Sequence, residues 1–332
     1  MQQWNVLVTR KLPQPGMDRL RSQCRLEVNE EDRVLARSEL MDGLAGKDGL
    51  CCLLTDAIDA EVIQACPTLR VIANYAVGYN NIDVEAATRR GVMVTNTPGV
   101  LTETTADLTW SLILAVARRV VEGDTMTRRG RFRGWAPELL LGGDVHGKAL
   151  GIVGAGRIGT AVARRSRGFG MTVCYFDQQA SPVLEKELGA RRLPLRRLLE
   201  ESDVVSLHVP LSQDTYHLIG SRELGWMKST AYLINTSRGP VIDEVALVDA
   251  LDRRQIGGTG LDVYEQEPKL SPGLADMPNA VLLPHLGSAT RETRARMAMM
   301  VAENCLAGLK GNVPPNLVNP AVLADTGESR GT

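Results

Sequence analysis

The chain has 332 residues, more than a single hydrophobic core usually serves, and this length predicts two domains. Its 38 basic and 39 acidic side chains give a formal net charge of -1. That balance argues against a protein that works mainly on nucleic acids or anionic membranes. The first residues enter an apolar strand directly, so we expect no secretory signal. No apolar run approaches the length that spans a bilayer, so we expect no membrane span. The six cysteines lack CxxC spacing, which predicts reduced, buried thiols in a cytoplasmic protein and no metal site.

Short β-branched runs alternate with helix-length segments over the first hundred residues. Strands are predicted at residues 5–9, 49–55, 71–75 and 92–95. Helical patterns lie between them, for example at 38–44 and 60–66. This alternation predicts a parallel sheet with helices on its faces.

A second alternating series follows a long apolar helix, predicted at residues 104–121, and a loop-rich segment at 128–144. Its six strands are predicted at 149–153, 172–176, 204–209, 231–235, 258–263 and 280–283. Six strands with intervening helices make a complete doubly wound dinucleotide-binding fold. A last helix is predicted at 290–309.

The predicted fold class is α/β, with two doubly wound parallel-sheet domains. The simplest partition inserts a Rossmann cofactor domain, residues 102–289, into a flavodoxin-like substrate domain made of residues 1–101 and 290–332. In that partition the last helix packs back on the first domain. An N-terminal domain followed by a C-terminal tail is the plainer alternative, and the sequence alone does not decide between them.

A glycine loop, Gly154-Ala-Gly156-Arg157-Ile158-Gly159, follows the strand at 149–153. Its glycines suit a tight turn, close approach to a pyrophosphate and close packing of helix on strand. A lone GxGxxG is weak evidence. Here a strand precedes it, a helix predicted at 160–168 follows, and Asp177 ends the next strand at the expected spacing. We therefore predict a dinucleotide site.

The carboxylate of Asp177 can accept hydrogen bonds from a ribose diol and repels a 2′-phosphate. The next residues, Gln178 and Gln179, supply no cation. The sequence thus favours NAD over NADP as the cofactor, although a neighbouring loop could provide the missing cation.

Only four histidines can serve as a general acid. His146 lies in a polar loop, and His217 in a polar stretch interpreted as helical surface. His208 ends a strand, near the cofactor or as a hydrogen-bonded core residue. His285 follows a late apolar strand, at the carboxyl edge where open sheets bind ligands.

Two further side chains follow neighbouring late strands. Arg238 comes after the strand at 231–235, and Glu267 after the strand at 258–263. Singly, an arginine in a turn or a glutamate before proline usually faces solvent. Together with His285 they place a cation, a carboxylate and an imidazole at the mouth of one sheet, which is an uncommon combination.

With these motifs the sequence resembles the D-isomer specific 2-hydroxyacid dehydrogenase family. The resemblance runs nearly end to end and is carried by the glycine loop and residues 74–83, 235–240, 260–268 and 284–288. Within the family the chain looks most like the glyoxylate and hydroxypyruvate reductases. The resemblance implies NAD(P)H-dependent reduction of a small 2-oxo acid to the D-2-hydroxy acid, with the active site between two domains. It also implies a homodimer formed around the cofactor domain.

The resemblance also implies roles for the catalytic side chains. Arg238 would hold the substrate carboxylate and keto oxygen, because its planar fork suits two acceptors. His285, when protonated, would donate to the keto oxygen as hydride arrives, and Glu267 would hydrogen-bond and orient the other ring nitrogen. Further substrate contacts are expected from Val77, Gly78 and Ser288.

The cofactor contacts that the resemblance implies come from loops at one edge of the second sheet. Asp262 would lie by the nicotinamide carboxamide. The full set is Gly154, Gly156, Arg157, Ile158, Gly159, Asp177, Pro210, Thr215, Thr236, Asp262 and Gly287.

Two positions bear on specificity. The family's substrate loop usually reads Gly-Tyr-Asp-Asn, whereas Asn80 stands at the aspartate position here and removes a charge. Trp135 matches a position at which relatives reach into the neighbouring subunit's active site. Ordinary dimer packing is an equal interpretation of that tryptophan.

Several alternatives stay open. Phosphite dehydrogenase shares the segment around Trp135, but that activity is associated with a lysine where Val77 stands. Phosphoglycerate dehydrogenase often carries a C-terminal regulatory domain that is missing here, and formate dehydrogenase typically lacks an acid matching Glu267. A non-catalytic NAD sensor, like the corepressors built on this fold, retains similar motifs. The only candidate interaction segment in the sequence is a short tail at 321–332, which favours an enzyme over a sensor.

Overall fold

The computed structural model describes residues 3–324, which form two compact units. The first contains the residues up to Leu101 and those from Ala289 onward, and the second is Thr102–Ser288. Of the tail predicted at 321–332, residues 325–332 lie outside the described part of the chain.

The first unit is built on a parallel sheet of five strands in the order β2-β1-β3-β4-β5. The strands are β1 Trp4–Val8, β2 Cys24–Val28, β3 Gly49–Cys52, β4 Val71–Asn74 and β5 Met93–Thr95. This flavodoxin-like order confirms the fold class predicted for this part of the chain. The sequence analysis missed β2, an edge strand whose Arg25 and Glu27 are exposed and break the apolar pattern.

Four helices of the first unit lie between its strands. They are α1 Gln14–Arg21, α2 Arg37–Leu44, α3 Ala60–Gln64 and α4 Val84–Arg89. Asp59 and Asp83 cap α3 and α4 by accepting hydrogen bonds from backbone N–H groups in the first turn.

The second unit begins with two helices, α5 Thr102–Ala117 and α6 Val120–Arg128. The sequence pattern predicts one helix through residue 121. Instead the chain breaks at Arg119, whose φ of 52° is left-handed and whose guanidinium pairs with Glu122. A left-handed residue cannot continue a right-handed helix, so the direction changes there.

The second unit contains a seven-stranded parallel sheet in the order β12-β11-β10-β9-β6-β7-β8. Its strands are β6 Ala149–Val153, β7 Thr172–Phe176, β8 Arg191–Arg192, β9 Val204–Leu207, β10 Tyr232–Asn235, β11 Gly258–Leu261 and β12 Ala280–Leu282. The six predicted strands are confirmed, and the two-residue edge strand β8 is an addition. The order reverses between β6 and β9, which is where doubly wound sheets bind dinucleotides.

Helices cover both faces of this sheet, over two hydrophobic clusters centred on residues such as Leu233 and Ile152. The helices after β6 are α7 Arg157–Arg165, α8 Pro182–Leu188, α9 Leu195–Glu201, α10 Ser221–Leu224 and α11 Glu244–Asp252. Short 3-10 turns in this unit are Ser166–Phe169, Gly239–Val241 and Leu274–Asp276, and Pro320–Leu323 forms one in the first unit.

The last helix, α12 Arg291–Leu309, belongs to the first unit. Met297, Val301 and Leu309 are buried in one cluster with Val6 and Val8 of β1. Burial of a whole helical face explains why a segment so distant in sequence completes this core.

All six cysteines are buried and free of disulfides, as the sequence predicts. No helix within residues 3–324 is long and apolar enough to cross a membrane. The cytoplasmic location inferred from the thiols stays a prediction.

Candidate active site

The glycine loop between β6 and α7 is shaped by two close backbone approaches. Gly154 has φ 98°, and a Cβ there would lie 2.7 Å from the His208 carbonyl carbon. A Cβ on Gly159 would lie 2.1 Å from the Gly154 carbonyl oxygen. A Cβ on Gly156, in contrast, would meet nothing within 4 Å. The outer glycines are thus required by packing, and the middle one leaves room for a ligand.

Helix α7 starts directly from this loop. Gly156 is its N-cap residue and makes no side-chain capping hydrogen bond, so the first-turn N–H groups of Arg157 and Ile158 have no side-chain cap acceptor there. The positive end of the helix dipole and these uncapped N–H groups suit a phosphate group. The loop therefore fits the pyrophosphate of a dinucleotide.

Asp177 follows β7 and lies beside the glycine loop. Its Oδ2 accepts a hydrogen bond of 2.7 Å from the Ala155 N–H group. The neighbouring chain segment brings a cation that the local sequence lacks: Arg192 of β8 donates to the carbonyl oxygens of Asp177, at 2.9 Å, and Gln178, at 2.6 Å. The candidate cofactor site thus combines a carboxylate suited to a ribose diol with an exposed guanidinium.

Arg238, Glu267 and His285 follow the carboxyl ends of three adjacent parallel strands, β10, β11 and β12. His285 Nδ1 and Glu267 Oε2 form a hydrogen bond of 2.9 Å. Because a carboxylate only accepts, this bond assigns a proton to Nδ1. In the described part of the chain Nε2 of His285 has no hydrogen-bond partner, and it is the ring atom left to meet a ligand.

The Glu267 carboxylate is held at both oxygens. Its Oε1 accepts a hydrogen bond of 3.0 Å from the Tyr264 N–H group. Burial by itself raises the pKa of this carboxyl, but the hydrogen bond and charge of His285, with Tyr264 and Arg238, outweigh it and lower the pKa. Glu267 is therefore ionised in the neutral range and can stabilise positive charge on the ring.

Asp262 fixes the loop that carries His285. It is 1% exposed, and its two oxygens accept hydrogen bonds from the N–H groups of Leu286, at 2.6 Å, and Gly287, at 2.8 Å. Burial raises the pKa of Asp262. These bonds hold His285 at φ 55°, a left-handed conformation that costs a non-glycine residue energy. Each oxygen keeps lone-pair capacity, so the carboxamide contact expected of Asp262 stays a prediction.

Arg238 is half-buried, three residues after the end of β10. Burial lowers the pKa of its guanidinium, and the negative charge of Glu267 opposes that effect. Asn235 shapes the turn: its amide donates to the Arg238 carbonyl oxygen at 2.9 Å, and its oxygen accepts from both the N–H and hydroxyl of Ser237. Arg238 is thus a preset cation beside the His285–Glu267 pair.

The other residues expected to line the cofactor mainly shape loops. The Thr215 hydroxyl donates to the Pro210 carbonyl oxygen at 2.6 Å. The hydroxyl of Thr236, which directly follows β10, lies 2.9 Å from that of Thr109 on α5. Ser288 is half-buried. Their contacts to a cofactor or substrate remain predictions.

In the first unit, the substrate loop presents backbone donors. Side-chain amides of Asn96 and Asn74 donate to the carbonyl oxygens of Val77, at 2.7 Å, and Gly78, at 2.9 Å. Within residues 3–324 the N–H groups of Val77 and Gly78 donate to no protein acceptor. Two fixed, unengaged N–H groups are suited to an anionic oxygen.

The remaining histidines differ from one another. His146 is exposed, as expected. His208 Nε2 lies 2.9 Å from the Ser206 hydroxyl, whereas its Nδ1 is buried without a partner. Burial lowers the pKa of His208 to about 3. The interpretation of His217 as helical surface is wrong: it lies in a turn, half-buried, 2.9 Å from Glu265.

Comparison with known proteins agrees with this geometry. Residues 110–287 match the family described as "D-isomer specific 2-hydroxyacid dehydrogenase, NAD binding domain". The chain is 53% identical over 321 residues to a glyoxylate reductase of Korarchaeum cryptofilum, covering 96% of both chains. It is 50% identical over 322 residues to the glyoxylate reductase of Thermococcus gammatolerans, again covering 96% of each.

Solved structures agree as well. The TT0316 protein of Thermus thermophilus superposes with a TM-score of 0.90 at 50% identity, covering 95% of this chain and 99% of that one. An NADPH-dependent glyoxylate/hydroxypyruvate reductase of Sinorhizobium meliloti superposes with a TM-score of 0.84 at 32% identity, covering 96% and 97%. The chain therefore belongs to the D-isomer specific 2-hydroxyacid dehydrogenase family and carries its NAD-binding domain.

Proposed function

We propose that this protein reduces a small 2-oxo acid, glyoxylate or hydroxypyruvate, to the 2-hydroxy acid with a reduced nicotinamide cofactor. The observation that supports this most is the His285–Glu267 pair, whose free ring nitrogen lies on the same sheet edge as Arg238 and the glycine loop. A proton donor, a carboxylate-binding cation and a dinucleotide site are the three parts that this reduction needs.

In this proposal Arg238 binds the carboxylate of the 2-oxo acid, and its fork also reaches the keto oxygen. The reduced nicotinamide, when bound, supplies a hydride to the keto carbon. His285 Nε2 gives its proton to the keto oxygen, so that the C=O bond becomes a C–OH bond without a free alkoxide. Glu267 keeps the imidazolium stabilised and correctly oriented until the proton has left.

The first unit is proposed to contribute the N–H groups of Val77 and Gly78 to the carboxylate of the substrate. These donors belong to the backbone and do not depend on the side chain at position 80, so Asn80 leaves them in place. Asn80 does alter the charge of the loop, and we propose that this tunes the preference among 2-oxo acids.

For the cofactor, we propose that NADH is preferred and that NADPH is also accepted. Asp177 favours a ribose diol, whereas Arg192, next to it, offers a partner for a 2′-phosphate. Replacing Arg192 with Gln is expected to raise the KM for NADPH while leaving that for NADH within about twofold.

The test is steady-state turnover of glyoxylate, hydroxypyruvate and pyruvate with NADH or NADPH, and of phosphoglycerate and phosphite with the oxidised cofactors. We expect the highest kcat/KM with glyoxylate or hydroxypyruvate. Turnover of phosphite alone would favour the phosphite reading, which Val77 in place of lysine argues against. Tight NADH binding without turnover of any substrate would favour a non-catalytic NAD sensor and refute the reductase.

We further propose a homodimer formed through α6 and the segment that follows it. None of the residues of α6 is buried, and Val121 is 50% exposed. Leu141 is 65% exposed and Trp135 85%. An apolar surface of this kind is typical of a protein interface.

Light scattering is expected to show a dimer that Val121→Glu dissociates, while Val245→Glu, at an exposed valine of α11, leaves it intact. Monomeric wild-type protein would refute the proposal. Trp135→Ala separates the two readings of that residue. A changed KM in an intact dimer points to the partner's active site, and a weaker dimer with unchanged KM points to packing.

A further inference from the structure

His217 and Glu265 form a second imidazole–carboxylate pair, and Glu265 lies two residues before Glu267 in the chain. His217 Nε2 and Glu265 Oε1 are 2.9 Å apart, and the side chains are only 31% and 20% exposed. The proposed chemistry uses neither residue. Their contacts nevertheless lead directly to the catalytic carboxylate.

Glu265 is tied to the first turn of α11. Its own N–H group donates to Glu244 Oε1 at 2.5 Å, and its Oε2 accepts from the Glu244 N–H at 3.3 Å. The other oxygen of Glu244, which is 2% exposed, accepts from the hydroxyl of Ser271 at 2.8 Å. The turn between Tyr264 and Ser271, which carries Glu267, is thus fastened at both ends.

The same turn rests on the backbone next to Arg238. A Cβ on Gly239 would lie 1.8 Å from the Tyr264 carbonyl carbon and 2.4 Å from the Glu265 nitrogen. The His217 N–H group donates to the Pro240 carbonyl oxygen at 2.8 Å. His217 therefore bridges the segment after Arg238 and the turn before Glu267.

Glu265 is connected to His285 through its neighbour Tyr264 and through Glu267. The adjacent Tyr264 N–H donates to Glu267 Oε1, and Glu267 Oε2 holds His285. A shift of the Tyr264–Glu265 backbone would carry that N–H donor with it and turn the carboxylate away from the ring. Misplacement of a catalytic group by a fraction of an ångström is enough to lower a rate.

We propose that His217 and Glu265 are positioning residues, which hold the turn of Glu267 against the Arg238–Pro240 segment and so keep Glu267 in hydrogen-bond contact with His285. The proposal rests on the proposed function, since it assigns His285 and Glu267 the acid role. A purely structural role would instead stabilise the fold without any particular effect on Glu267.

Three variants separate these roles in the full-length protein. Glu265→Ala removes the contact, and Glu265→Gln keeps a side chain able to bond His217 and the Glu244 N–H group. His217→Asn shortens the other partner with a residue that tolerates its φ of 50°. Ser181→Ala removes the helix cap of α8, at the opposite edge of the sheet, as a control for stability alone.

We expect Glu265→Ala and His217→Asn to lower kcat about 5- to 20-fold, with the KM and NADH dissociation constant changed less than about threefold. Glu265→Gln should restore kcat to within about twofold of the parent. In a Glu267→Gln background, Glu265→Ala should lower kcat little further, because both changes act on the contact between Glu267 and His285. Additive losses, no rescue by Gln, or a lower melting temperature with unchanged kcat would overturn the proposal.

A measurement without turnover keeps this test apart from that of the reductase. With four histidines, 15N-histidine NMR resolves each ring, and His285→Gln assigns the His285 signal. Glu265→Ala should shift the His285 Nδ1 resonance, while Ser181→Ala should not. An unshifted resonance refutes positioning even if the enzyme is active; a shifted one supports it even if no 2-oxo acid is reduced.

Discussion

Replacing Glu267 with Gln removes one charge and little volume from the centre of the site. The amide oxygen can still accept from the Tyr264 N–H group, as Oε1 does at 3.0 Å. The amide NH2 group would then face His285 Nδ1, where the parent has a carboxylate oxygen at 2.9 Å. A donor at that position favours neutral imidazole protonated on Nε2 and opposes the imidazolium.

The size of the effect follows from the bond that is lost. A hydrogen bond between charged partners contributes about 1.5–3 kcal/mol. If it stabilises the acid in the transition state, its loss lowers kcat about 10- to 150-fold near neutral pH. NADH affinity should stay nearly unchanged, because the glycine loop and Asp177 are untouched.

The pH dependence has a definite sign. The pKa of Glu267 is lowered in the fold, so the ion pair stabilises the protein above the ordinary carboxyl pKa and is lost as pH falls through the lowered value. Glu267→Gln lacks this carboxylate, so its free energy of unfolding should depend less on pH in that range, which urea unfolding would measure.

The assay is kcat for glyoxylate with NADH between pH 5.5 and pH 9, a range of about 3.5 units that includes neutrality. Asp252→Asn, which neutralises an exposed carboxylate at the end of α11, serves as the matched control and should behave like the parent. A Glu267→Gln enzyme with parental kcat would refute the pairing of Glu267 with the acid.

Three other changes test separate parts of the structure. His208, with its pKa lowered to about 3, makes the fold less stable as pH falls below the ordinary histidine pKa, by about 2 kcal/mol at pH 5. In urea unfolding, the free energy of unfolding of His208→Gln should no longer fall at acid pH, whereas that of His146→Gln should still fall. If it depended on pH equally in both variants, His208 would not be the cause of the acid sensitivity. Gly159→Ala, whose Cβ would lie 2.1 Å from a backbone oxygen, should weaken NADH binding at least about tenfold by fluorescence titration, while Gly168→Ala, in open space, should not. Arg238→Lys should raise the KM for glyoxylate about 10- to 100-fold, since an ammonium cannot make the paired contact; an unchanged KM would remove Arg238 from substrate binding.

Much of the second unit could be predicted from local pattern. Each strand that carries the glycine loop, Asp177, Arg238, Glu267 or His285 is a short apolar run bounded by turn residues, and such runs are recognisable without tertiary information. Because all these strands are parallel, their carboxyl ends share one edge. The convergence of the three catalytic candidates follows from that rule, and the 2.9 Å contact of His285 with Glu267 agrees with it.

Edge strands and helix breaks were harder to predict. The strand Cys24–Val28 has one face exposed and charged, and Arg191–Arg192 has only two residues, so neither shows an apolar run. The break at Arg119 depends on a left-handed conformation that its residue type does not signal. In each case the neighbouring elements decide the structure.

The sequence by itself predicted the doubly wound fold, the glycine loop and the residues proposed as the acid, the cation and the ribose carboxylate, because these depend on spacing within single strand–turn–helix units. Only the tertiary structure decided which side chains complete them. Arg192 reaches Asp177 from the adjacent strand β8, Asp262 holds the left-handed backbone of His285, and His217 pairs with Glu265. Such contacts join residues far apart in the chain, and their free energy depends on distances that spacing in the sequence does not encode.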